Sequence, residues 1–155
     1  MMKENKREEK LCLFFASDYH FEMISLPYIN ENLKKNKDVV IMTENDLVSS
    51  VNKVISSINL NEEEKNRLSK IDWKNDELNK FKEVKNANKE GKELLIFVKG
   101  REKYINNMNK NIENWTNLKD VKIVDCYDIN EIQDCADEIA KKYNNVLFSS
   151  GVEKM

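Results

Sequence analysis

The residues of this chain that could do chemistry sit in short polar stretches, each at the end of an apolar run. Ser17-Asp18-Tyr19-His20 follows Leu11–Ala16, Thr43-Glu44-Asn45 closes the run from Asp38, and Lys99-Gly100-Arg101 follows Glu93–Val98. Tyr127 and Asp128 follow Val121–Cys126, and Ser149 and Ser150 end the run from Asn145. Together they supply carboxylates, cations, hydroxyls and one imidazole, groups able to hydrogen-bond a small polar ligand. His20, with Asp18 two residues before it and Glu22 two after, is a candidate general base near neutral pH. A helical i, i+2 pair points to different faces, however, and no Ser or Cys nucleophile is evidently partnered with it. Asp125, Asp128, Glu131 and Asp134 form an acidic cluster that reads equally as a helix cap and a solvated helix face.

Phosphate chemistry is poorly served. Neither G-x-x-x-x-G-K-[ST] nor G-x-G-x-x-G occurs, and the first strand-to-helix turn has no glycine. Asp18 would repel a phosphate brought to that turn. Gly100, between Lys99 and Arg101, is the one glycine flanked by cations near a predicted helix start, where a single anion could sit. Cys12, Cys126 and Cys135 show no CxxC spacing and His20 is the only histidine, so no zinc site is expected. Cys12 and Cys126 read as small apolar strand residues. No metal and no cofactor is expected.

The bulk numbers narrow the class. The 26 basic and 28 acidic residues are interspersed and leave a net charge of −2, so there is no basic face for nucleic acid. No apolar run approaches the length that spans a bilayer, and Met1–Lys10 is charged with no apolar region behind it. A soluble, cytoplasmic chain is expected, binding neither membrane nor nucleic acid. With 155 residues it fits one domain, and only 3 Gly and 1 Pro favour long helices over a turn-rich all-β fold.

The elements that must position the polar stretches follow from periodicity. Leu11–Ala16, Asp38–Thr43, Glu93–Val98, Val121–Tyr127 and Asn145–Ser149 read as strands, the first a continuous apolar run as expected of a strand buried on both faces. Ser17 and Asp18 cap a helix carrying Phe21, Ile24, Tyr28, Ile29 and Leu33, with Pro27 as a kink or break. Leu47–Ile58 is the next helix, and Asn61-x-x-Glu64 caps a charged one reaching Lys70. Ile71-Asp72-Trp73 is expected as a short edge strand and Glu77–Ala87 as a helix. Tyr104, Ile105, Met108, Ile112 and Trp115 mark another helix, and Asp128-x-x-Glu131 caps a last one through Ile132, Cys135, Ile139 and Tyr143.

This alternation implies an α/β domain: a three-layer, mostly parallel sheet of five or six strands with helices on both faces, Rossmann- or RecA-like. Residues 1–10 form a charged extension and 11–155 the domain, with 61–92 a helical insertion or edge-covering connection that could serve as a lid or partner surface. Ligands of such sheets lie beyond the strand carboxyl ends. That rule nominates Ser17, Asp18, His20, Glu44, Lys99, Arg101, Tyr127, Asp128 and Ser149 as a ligand-binding set.

Leu11-Cys-Leu-Phe-Phe-Ala-Ser-Asp18, Leu26-Pro-Tyr-Ile-Asn-Glu-Asn-Leu33 and Lys37-Asp-Val-Val-Ile41 add a second line of evidence. In order and character they resemble the opening of the MEDS sensory domains, named for methanogens, methylotrophs and a regulator of dichloromethane metabolism. Ala87–Gly91 and Val124–Asp128 are similar to later stretches of the same family, while Asn32 stands where the family has Gly. The resemblance implies a RecA-type core without a phosphate loop, acting as a sensory or ligand-binding module that signals through a protein partner. It supplies no catalytic residue. The alternatives are a small hydrolase or transferase using Asp18 and His20, and a structural homodimer joined through an edge strand.

Overall fold

The apolar runs become the strands of a single sheet. In the computed structural model, which describes residues 9–115 and 121–154, the chain is α/β. It runs β1 (Glu9–Phe15), α1 (Asp18–Lys34), β2 (Asp38–Thr43), α2 (Val48–Ser57), α3 (Glu62–Ser69) and α4 (Glu77–Glu90). Then come β3 (Leu94–Lys99), α5 (Glu102–Trp115), β4 (Val121–Asp128), α6 (Ala136–Ala140), β5 (Asn145–Phe148) and β6 (Gly151–Lys154). The six strands lie in the order β2-β3-β4-β1-β5-β6, all parallel except β6, which turns back antiparallel on β5. Glu9 and Lys10 belong to β1, so only Met1–Glu8 of the expected extension remains, outside the described residues.

Strand alternation divides the buried side chains into two cores. Leu11, Leu13, Phe15, Leu95, Phe97 and Cys126 pack with residues of α1, α2 and α3. Cys12, Leu94, Ile96, Val98, Ile123 and Tyr127 pack with residues of α4, α5 and α6. Both faces of the sheet are therefore covered, as continuous apolar strands require. Burial pushes the Cys12 thiol up to about 12 and the Cys126 thiol well above the ordinary range, which makes both poor nucleophiles.

The residues after β1 and β4 set the geometry that matters. β1 feeds α1 in the first core, whereas its parallel neighbour β4 leads toward α6 in the second. Chain connections diverge there to opposite faces and leave a crevice at the strand carboxyl ends.

Three local expectations change. α1 continues through Pro27, which is solvent-exposed together with Met23, so the carbonyl that loses its helical donor can be hydrated. Ile71–Trp73 forms no strand. It lies in the α3–α4 connection, where Trp73 is buried, donates from Nε1 to Leu68 O at 2.9 Å and accepts from Leu47 N–H. The helix expected from Asp128 shrinks to Ala136–Ala140, because the Asp128 carboxylate accepts the Asn130 N–H at 2.9 Å and closes a local turn.

The connection over residues 61–92 passes from one core to the other. Leu68 of α3 belongs to the first core, and Val84 and Ala87 of α4 belong to the second. Lys80 is almost wholly buried at the crossing, where its ammonium donates to Asp72 O and lies 3.4 Å from the Asp72 carboxylate. The Asn61 capping box closes as the spacing predicts, with Glu64 N–H donating to Asn61 Oδ1 at 2.8 Å and Asn61 N–H to Glu64 Oε1 at 3.1 Å.

Lys34 at 2.7 Å, Asn30 at 3.0 Å and the Asn61 N–H hold the Glu64 carboxyl down at about 2, against its usual 4.5. Its lowered value means the unfolded chain binds the proton first, so the stabilisation is complete above pH 4.5 and disappears as pH falls toward 2. Urea unfolding at pH 7 and pH 3 is expected to show a smaller acid-induced drop in midpoint for Glu64→Gln than for the natural chain. Equal drops would remove Glu64 from the acid sensitivity.

Candidate functional site

β1, β2, β3 and β4 end around a cavity of about 320 Å³ lined by Phe15, Asp18, Glu44, Asn45, Lys99, Gly100, Arg101, Asp128 and Glu131. Five of the nine residues nominated from the sequence therefore converge: Asp18, Glu44, Lys99, Arg101 and Asp128.

Lys99 is the centre of the site. It is the last residue of β3 and is 3% exposed. Its Nζ lies 2.9 Å from Asp18 Oδ1 and 3.3 Å from Asn45 Oδ1, with the rings of Phe15 and Phe21 at 4.9 and 5.4 Å. The ammonium is thus held by one carboxylate, one amide and two aromatic faces. Glu22, one helical turn after Asp18, lies buried behind it and accepts from Ser50 Oγ. Burial raises the Glu22 carboxyl, and the charge of Asp18 adds to that, while Ser50 and Lys99 oppose it.

Glu44 and Arg101 form a second pair across the cavity. Arg101 Nη2 and Nε donate to Glu44 Oε2 at 2.6 and 3.1 Å, and the Arg101 N–H donates to Oε1 at 2.9 Å. The guanidinium bond holds the Glu44 carboxyl below its usual range. Gly100 permits this approach, since a Cβ there would lie 2.7 Å from Tyr104 Cδ2 and 2.8 Å from Glu44 Oε1. Gly100→Ala is accordingly expected to lower stability by about 1–3 kcal/mol through overpacking and to pull Glu44 off Arg101. Thermal melting reads the first effect, and an unchanged melting temperature would show that the site yields without cost.

The remaining nominees lie elsewhere. Ser17 caps α1, its Oγ accepting the His20 N–H at 3.1 Å, and His20 Nδ1 accepts the Ala16 N–H at 2.9 Å. Asp18 turns to Lys99 while His20 turns back to the main chain, so each carries a partner other than its neighbour. Tyr127 is a β4 residue facing the second core, where its hydroxyl meets Tyr143 Oη at 2.7 Å. Tyr143 in turn donates to Asp125 Oδ2 at 2.6 Å. Burial raises both phenols. Ser149 lines a separate cavity of about 200 Å³ with Pro27, Tyr28 and Phe148.

Phe15, Asn45, Gly100 and Glu131 line the cavity outside the nominated set, Asn45 and Gly100 each beside a nominated residue. Phe15 is legible in hindsight from strand alternation, two residues beyond Leu13. Glu131 reaches the cavity only because the expected helix is a turn. Among the described residues no cluster of His, Cys, Asp and Glu is arranged to hold a metal ion.

The charge balance sets what the site can do. Four carboxylates face two cations in the lining, and both cations are already paired. One N–H at each of the starts of α1 and α5, that of His20 and that of Arg101, is already taken by Ser17 and Glu44. The cavity therefore favours hydroxyl- or amine-bearing groups over phosphate. No helix of the described residues is long and apolar enough to cross a membrane. Comparison with protein-family models, with curated proteins and with solved structures returned no match.

Proposed function

We propose that this chain is a sensory or ligand-binding domain of the MEDS type, which holds a small molecule at the strand carboxyl ends and signals through a partner protein. One observation carries the reading: side chains from the ends of β1, β2, β3 and β4 converge on one cavity around a buried, paired Lys99. A buried ammonium is costly to keep and contributes little to stability for its own sake. Its placement at the divergence of β1 and β4 is where an α/β sheet binds ligands. The opening motifs resembling the MEDS domains add the expectation of a sensory role without catalysis.

A thermal-shift screen of amines, polyols, amino acids and phosphorylated metabolites tests this reading. Hydroxyl- or amine-bearing compounds are expected to raise the melting temperature in a concentration-dependent way, and phosphorylated ones to have little effect. If no class raises it, the ligand-binding reading fails.

A second reading, two copies joined through a sheet edge, is favoured by β6. This short strand has an open side, and Val152 and the adjacent Phe148 are 42% and 46% exposed. Sedimentation over a range of concentrations decides it, a strict monomer counting against it.

A further inference from the structure

The other edge of the sheet carries an inference that is independent of the strand-end cavity. β2 pairs only with β3, and Asp38 N–H and Glu44 N–H donate to Glu93 O and Lys99 O. In a parallel ladder alternate residues turn their main-chain groups to opposite sides, so Val40 and Met42 face β3 with Asp38 and Glu44. Val39 and Ile41 therefore present N–H and C=O groups on the open side. The α3–α4 connection crosses just past the carboxyl end of this edge, where Trp73 O takes Leu47 N–H and Asn75 Nδ2 donates to Glu44 O. The amino half, Asp38–Val40, instead lines a groove of about 350 Å³ between α3 and α4.

The two rims of that groove differ in charge. α3 and its C-cap supply Arg67 and Lys70, whereas α4 supplies Glu83 and Glu90. Arg67 Nε is buried with no hydrogen-bond partner, while its Nη2 lies 3.7 Å from the exposed Glu63 carboxylate. Leu68 places α3 on the first face of the sheet, and Val84 and Ala87 place α4 on the second. A strand added to β2 would send alternate side chains toward these two faces.

We infer that the amino half of β2 is a docking site for an extended peptide segment of a partner protein, with acidic residues alternating with basic ones. Its backbone pairs with Val39, its acidic side chains meet Arg67 and Lys70, and its basic side chains meet Glu83 and Glu90. Charge complementarity on the two rims selects the register, and the edge hydrogen bonds supply the attachment.

Fluorescence polarisation of the full chain with a short labelled peptide of alternating Glu and Lys tests this. Binding is expected to be about tenfold tighter than for a peptide of equal composition with its Glu and Lys in separate blocks. The alternating peptide N-methylated at every second residue should likewise bind more weakly in one of its two phases. Val39→Pro removes the outward N–H at an edge position that tolerates proline and should abolish binding. The double variant Arg67→Ala, Lys70→Ala lies on a helix surface and should weaken binding about tenfold with its melting temperature retained. Equal binding of the alternating and block peptides overturns the proposal, as does binding unaffected by both variants. Self-association through β2, seen as a dimer that Val39→Pro dissolves, also overturns it.

Discussion

Lys99→Met is expected to abolish ligand-dependent stabilisation while leaving the unfolding free energy within about 1 kcal/mol of the natural chain. The methionine fills the volume of the lysine stem between Phe15 and Phe21, whose rings lie 4.9 and 5.4 Å from the ammonium. It also removes a charge that folding had to desolvate. Asp18, 46% exposed at its side chain, can return to water once its partner is gone, and the buried Glu22 keeps its hydrogen bond from Ser50 Oγ. Lys99→Ala should behave differently, losing about 3 kcal/mol because it empties a well-packed site at the end of β3. Urea unfolding of the three proteins, with and without a compound identified by thermal shift, separates the two roles. Should Lys99→Met lose as much stability as Lys99→Ala, the ammonium rather than the stem would be the structural element, and the assignment of its charge to ligand binding would fall.

Trp73→Ala is expected to cost about 4 kcal/mol, the range for deleting a buried aromatic side chain. Trp73 is 3% exposed and packs in the first core, and its indole N–H donates to Leu68 O. Trp73→Phe keeps the apolar contact and loses the hydrogen bond, for about 1 kcal/mol. The larger change should also loosen the connection just past the carboxyl end of β2, visible as faster hydrogen exchange at Leu47, whose N–H bonds to Trp73 O. A loss below about 1.5 kcal/mol for Trp73→Ala would mean that the connection is held by Lys80 and Asp72 instead.

Several polar residues changed meaning between sequence and structure. Lys99 and Lys80 look like ordinary surface lysines beside other charges, yet they are 3% and 1% exposed. Nothing within a few residues of either announces this. Each finds its compensation in three dimensions, Lys99 from Asp18 and Asn45 on other segments, Lys80 from Asp72 across the helix start. Tyr127 and Asp128 are adjacent in sequence, but neighbours on a strand point to opposite faces, and Tyr127 packs in the second core while Asp128 lines the cavity. The acidic repeat after β4 promised a capped helix, and the Asp128 side chain spent its acceptor on Asn130 instead.

What the sequence determined by itself was local. Apolar runs set the strands, spacings of three and four set most helices, and Asn61-x-x-Glu64 set a cap that closes in the structure. In the glycine-free turn after β1, the Ala16 N–H is met by His20 Nδ1 and the His20 N–H by Ser17 Oγ. These features depend on contacts within one or two turns of chain. Only the tertiary structure decided the strand order, the crossing of residues 61–92 from one face to the other, and the meeting of Asp18, Glu44, Lys99 and Asp128 at one cavity. Those outcomes rest on packing between segments far apart in the chain, which hydrophobic pattern requires in general but does not specify in register or order.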